Sequence, residues 1–138
     1  METIINPRIL LLLLSSVIMA LVIMFVPPVS QDPGYHHFAD QRNISGIPHF
    51  WNVVTNIPFL VLGITGFFKI QNQELTGILP DFFRAYSTFF MGLVLTALGS
   101  GYYHLDPSNS TLVGDRVAIT FTFMSFFCLL YTSDAADE

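Results

Sequence analysis

The sequence predicts an all-α, polytopic transmembrane helix bundle with about four spans, each needing roughly 20 apolar residues. Three observations predict it. The chain has 138 residues, of which 52% are hydrophobic and only 11% charged, whereas soluble domains carry roughly 25% charged residues. Uncharged apolar runs of helical length recur along it. Between them lie short clusters of proline, glycine, aspartate and asparagine, which break helices. The length accommodates one membrane domain and leaves no room for a separate soluble one. Five basic residues against ten acidic ones give a formal charge of −5. With no basic stripe to neutralise phosphates, nucleic acid is excluded as a partner. The partners expected are the bilayer and a lipid.

The first span is expected at residues 9–26, an uncharged run broken only by Ser15 and Ser16 and stopped by Pro27-Pro28. It exceeds the roughly 7–15-residue core of a signal peptide and no small-x-small cleavage site follows, so it reads as a retained anchor. Residues 29–47 are polar, with Asp32-Pro33-Gly34 near their start and Ser45-Gly46 near their end, and predict a loop with at most one short helix. Pro48 suits the first turn of a second span over 49–68, closed by Lys69. Residues 71–80 form the next turn, and 81–103 a third span whose apolar part starts after Arg84. Asp106-Pro107-Ser108-Asn109 ends it, and Asp115-Arg116 opens a fourth that is cut short. Arg8, Lys69 and Arg84 fall on one side, and Arg42 and Arg116 on the other together with Asp32, Asp40, Asp106 and Asp115. The positive-inside rule then predicts a multi-pass integral membrane protein with a cytoplasmic amino terminus.

Residues 128–138 read as the in-frame translation of a transposase sequencing adapter. They are taken as an artefactual tail, which leaves 1–127 as a partial transmembrane domain with 9–26 as its leading span. Cys128, the single cysteine, lies in that tail and carries no redox or metal information. Setting aside Asp134, Asp137 and Glu138 leaves seven acids against five bases, a balance of −2.

Polar groups inside apolar spans cost a few kcal/mol each unless partnered, so their placement is informative. Gly92, Thr96, Ser100 and His104 recur every four residues and share one helix face. His49, Asn52 and Asn56, with Thr55 beside them, form a second strip, and the two strips are expected to face each other. Such stripes are also common packing devices in membrane bundles, and a histidine at a helix end is often interfacial. Asp115 has an equally plain reading as the cap of the fourth helix, and Asn52 and Asn56 as interhelical hydrogen-bond glue. His36 and His37 are adjacent, hence divergent, and read as loop or interfacial residues rather than a chelating pair.

Ser100-Gly101-Tyr102-Tyr103-His104, followed by Asp115, resembles the Ser-x-x-x-His and aspartate pattern of the alkaline ceramidases and their wider superfamily of adiponectin-receptor-like and glycosylphosphatidylinositol-remodelling proteins. Phe50-Trp51-Asn52 with Thr55-Asn56 is similar to the Phe-Trp-Asn-x-x-Ser-Asn signature of the ceramidase branch. The resemblance covers roughly residues 35–127 and implies part of a seven-helix bundle, eight with the leading span. It implies zinc held by three histidines: His104 as one ligand and two more from a late His-x-x-x-His expected beyond residue 127. Ser100 and Asp115 are implied as catalytic residues beside it. The activity implied is hydrolysis of the amide bond of ceramide or a related lipid amide, with a chain cut before the histidine pair expected to be inactive. His49 stands where eukaryotic ceramidases carry a glutamate, and 37–42 reads His-Phe-Ala-Asp-Gln-Arg in place of their acidic segment, so a calcium site is not expected. Two alternatives stay open: a superfamily lipid hydrolase or receptor-like protein acting on another bond, and a non-enzymatic protein whose stripes merely pack helices.

Overall fold

The structure, a computed structural model, describes residues 6–74 and 82–136, with side chains as far as residue 131. It is helical throughout, and no strand occurs among the described residues. Helix α1 (Pro7–Phe25) belongs to a unit of its own, residues 1–31. Its start is locally encoded: the Asn6 side chain accepts from the Arg8 N–H at 3.0 Å, and Pro7 occupies the first turn, where a missing N–H costs nothing. Ser15 and Ser16 both donate to the Leu12 carbonyl, at 2.9 and 2.8 Å, so neither hydroxyl faces hydrocarbon unbonded. The helix is exposed along its whole length and spans about 28 Å at ~1.5 Å per residue, close to the thickness of a hydrocarbon core.

The described residues of the second unit, residues 32–138, form four α-helices: α2 (Phe50–Val54), α3 (Ile57–Gln71), α4 (Phe83–Leu105) and α5 (Asn109–Ala136). The expected unbroken helix over 49–68 is divided. Pro58 has no N–H for the Val54 carbonyl and its ring crowds that carbonyl, so α2 ends at Val54 and the chain restarts at Ile57. Nor does Pro48 sit in the first turn. The helix begins after His49, which takes the left-handed conformation at φ 47°, ψ 46°. Residues 75–81, where a turn and the start of the third span were expected, lie outside the described residues.

Helix α5 also starts earlier than Asp115-Arg116. The Ser108 carbonyl accepts from the Leu112 N–H at 3.0 Å, its hydroxyl accepts from the Thr111 N–H at 3.2 Å, and Thr111 Oγ1 accepts from the Ser108 N–H at 3.1 Å. This reciprocal pair makes Ser108 the cap. Asp115 is thereby an interior residue of the helix and not its cap. The helix continues through the Cys128 position to Ala136.

Packing places α4 between α3 and α5. A Cβ on Gly63 would lie 2.8 Å from the Val94 backbone nitrogen, and one on Gly66 2.2 Å from the Phe90 ring, so these two glycines let α3 approach α4. On the other side, Gly92 faces Thr122, and Thr96 and Thr122 share a hydrogen bond of 2.9 Å. The Gly92 and Thr96 half of the α4 stripe therefore meets α5 and not the polar strip of α2. Three stretches among the described residues are long and apolar enough to cross a membrane: Pro7–Phe25, Phe50–Gln71 and Asn109–Tyr131. The third span expected from sequence, α4, is not among them. Flanked by helices on two sides, it carries Ser87, Thr88, Gly92, Thr96, Gly99 and Ser100 where a lipid-facing helix would carry leucines.

Candidate functional site at the ends of α4 and α5

The site begins with a glycine that sequence reasoning passed over. A Cβ on Gly99 would lie 3.0 Å from the Gly114 carbonyl oxygen and 3.4 Å from the Asp115 Cα. With hydrogen there instead, the α5 backbone reaches α4 beside Ser100, one turn before His104. Asp115 is consequently buried, at 7% exposure, and its Oδ1 has no hydrogen-bond partner among the described residues. His104 Nδ1 is likewise buried and unpartnered, and Asp115 and His49 both lie within electrostatic range of His104. Ser100 is half-buried on α4. Two of the three residues singled out from sequence thus lie within electrostatic range of each other at one end of the bundle, and no hydrogen bond among the described residues joins the three.

Residues 32–47, most of the stretch expected as a loop with at most one short helix, are built onto this end. Their short 3₁₀ turn, Pro33–His36, is capped by the Asp32 carboxylate, which accepts from the Gly34 N–H at 2.7 Å. The Arg116 guanidinium donates to the Tyr35 hydroxyl and lies 5.7 Å from the centre of the same ring. His36 is half-buried, its Nδ1 sharing a hydrogen bond of 2.9 Å with the hydroxyl of buried Tyr103 and its Nε2 buried without a partner among the described residues. His37 is exposed. The two rings nevertheless line, with Gln41 and His49, one open cavity of about 610 Å³. His36 belongs to the packed end of α4 and not to a free loop.

Asp40 ties the segment to α2. Its carboxylate accepts from the Trp51 N–H at 2.8 Å and the Arg42 N–H at 3.3 Å, and its carbonyl accepts from His49 Nδ1 at 2.7 Å. In that last bond His49 Nδ1 carries the proton that is donated. A two-residue turn follows, in which Ser45 (φ 54°) and Gly46 (φ 83°) both hold positive φ between the paired Ile44 and Ile47. Asn56 is buried, but its amide donates to the Asn52 carbonyl at 2.8 Å, and Thr55 donates to that same carbonyl at 3.1 Å. The Asn56 side chain therefore satisfies a carbonyl of α2 across the break before Pro58, where an interhelical bond was expected.

Among the described residues, no group of three or more His, Cys, Asp or Glu side chains stands close enough to hold a metal ion. His104 and Asp115 fit one corner of such a site: an imidazole and a carboxylate from adjacent helices, each with a buried polar atom that has no partner among the described residues.

The class defined by this fold is an all-helical chain with three helices long and apolar enough to cross a membrane, compatible with an integral membrane protein. No family model matches the chain, and neither the curated proteins nor the solved structures contain a match to it.

Proposed function

We propose that this chain is the amino-terminal part of a membrane-embedded, zinc-dependent amidase acting on ceramide or a related lipid amide. The observation that carries the proposal is the presence, at the bundle end where the Ser-x-x-x-His and aspartate pattern falls, of two buried polar atoms without hydrogen-bond partners among the described residues, His104 Nδ1 and Asp115 Oδ1. An unpartnered buried carboxylate costs several kcal/mol, so a fold that keeps one has a use for it or supplies a further partner. Helix α4 crosses the membrane with its neighbours as their packed central element, and the amino terminus lies in the cytoplasm.

His104 would supply one imidazole ligand, and the two others come from the histidine pair expected beyond residue 127. When bound, zinc would lower the pKa of a water molecule towards neutrality and polarise a carbonyl. Asp115 would accept a proton at a carboxylate oxygen and orient the attacking water. The Ser100 hydroxyl donates to the amide oxygen as negative charge develops on it.

Two measurements test the reading. The locus read past the codon for Phe127 should encode His-x-x-x-His in a later span. The complete protein, purified in detergent, should release fatty acid from ceramide and carry one zinc per chain, with His104→Ala losing both. Zinc retained at full stoichiometry in that variant refutes the ligand assignment.

A further inference from the structure

A histidine that ligates or catalyses normally has its orientation set by a hydrogen bond from its second ring nitrogen to a carbonyl or carboxylate. His104 has no such bond among the described residues: its Nδ1 is buried and unpartnered. What touches its ring is aromatic. Phe38 lies 4.6 Å away between ring centres at 65°, and Tyr103 at 5.4 Å and 42°. Phe38 also meets His49 edge to face at 5.0 Å and Tyr103 at 5.4 Å, so a single side chain of the 29–47 segment bridges α2 and α4 at the site.

Phe38 is itself held from both directions along the chain. Before it, Tyr35 is gripped by Arg116 of α5 and His36 by the Tyr103 hydroxyl of α4. After it, the Phe38 carbonyl accepts from the Gln41 side chain, and Asp40 is bonded to Trp51 and His49 of the α2 start. These ties leave the ring little freedom to move away from His104.

We propose that Phe38 is a positioning residue of the site, its ring replacing the missing hydrogen bond as the element that selects one orientation of the His104 imidazole. The inference deepens the hydrolase reading, but its subject is the ring of the chain as it stands, with no metal or substrate required. Edge-to-face contact is directional, and one such pair favours its geometry about two- to tenfold over alternatives of equal buried area. A branched aliphatic side chain fills comparable volume without that directionality.

The test is solution NMR of the 138-residue chain, histidine ring-labelled, in detergent micelles. In the parent chain His104 should give one set of ring resonances, with nuclear Overhauser contacts to Phe38 and Tyr103 from a single ring edge. In Phe38→Leu, and independently in Phe38→Met, helix content by circular dichroism should persist while the contacts to Tyr103 arise from both ring edges, the mark of a flipping imidazole. Phe38→Tyr, which keeps the aromatic edge, should restore the single set. Folded Leu or Met variants that keep one-edge contacts overturn the proposal, as does a folded Tyr variant that fails to restore them. Loss of the hydrolase reading would register in zinc content and fatty-acid release, neither of which enters this experiment.

Discussion

Substituting Gly99 by alanine probes whether close helix approach is what buries Asp115. The added Cβ would lie 3.0 Å from the Gly114 oxygen, 3.2 Å from the Gly114 carbonyl carbon and 3.4 Å from the Asp115 Cα. All three are backbone atoms of α5 and cannot rotate aside, so α5 has to shift as a body. Overpacking of this kind costs about 1–3 kcal/mol. Alanine recovers about 1 kcal/mol of helix propensity over glycine, which offsets only part of that cost. Gly101, two residues on, is the internal control, because a Cβ there meets no atom within 4 Å. Gly101→Ala should therefore be neutral or stabilising by up to ~1 kcal/mol, and Gly99→Ala less stable than Gly101→Ala by about 1–3 kcal/mol. The assay is equilibrium unfolding of both variants in mixed micelles, followed by circular dichroism. Equal stability of the two, or a more stable Gly99→Ala, refutes the argument that this glycine sets the α4–α5 contact.

The remaining predictions concern α5. Ser108→Ala removes the helix cap and the reciprocal bond with Thr111, and should lower stability by about 1 kcal/mol in the same unfolding assay. Asp115→Asn replaces a buried carboxylate bearing an unpartnered oxygen with a neutral side chain of equal size. Without metal it should leave the 138-residue chain as stable or more stable, by ~1 kcal/mol, while abolishing fatty-acid release in the complete protein. A variant destabilised by more than that would mean the carboxylate already has a partner in the fold.

How much of the site could be read in advance differs residue by residue. The four-residue spacing of Ser100 and His104 is a property of one helix, so their shared face followed from position alone. Burial of Asp115 did not follow. A carboxylate shortly after an Asp-Pro-Ser-Asn break looks like a cap, and the Ser108–Thr111 pair that takes that role lies a few residues earlier with an equally good local signature. Pro58 was a local signal in plain view, outweighed by the hydropathy of the run around it. Asn56 looked like interhelical glue because the break it repairs had gone unrecognised.

By itself, the sequence determined that the chain is helical and apolar enough for a membrane, where α1 begins and ends, and which polar residues share a face of α4. Those are consequences of composition and of interactions within a few residues. Tertiary structure alone decided that Gly99, rather than Gly92, brings Asp115 to the site. It also decided that the 29–47 segment folds onto His104 through contacts such as His36 with Tyr103, 67 positions apart. Contacts at that separation leave no periodic trace in a sequence, because they depend on how whole helices are placed and not on the residues adjoining each partner.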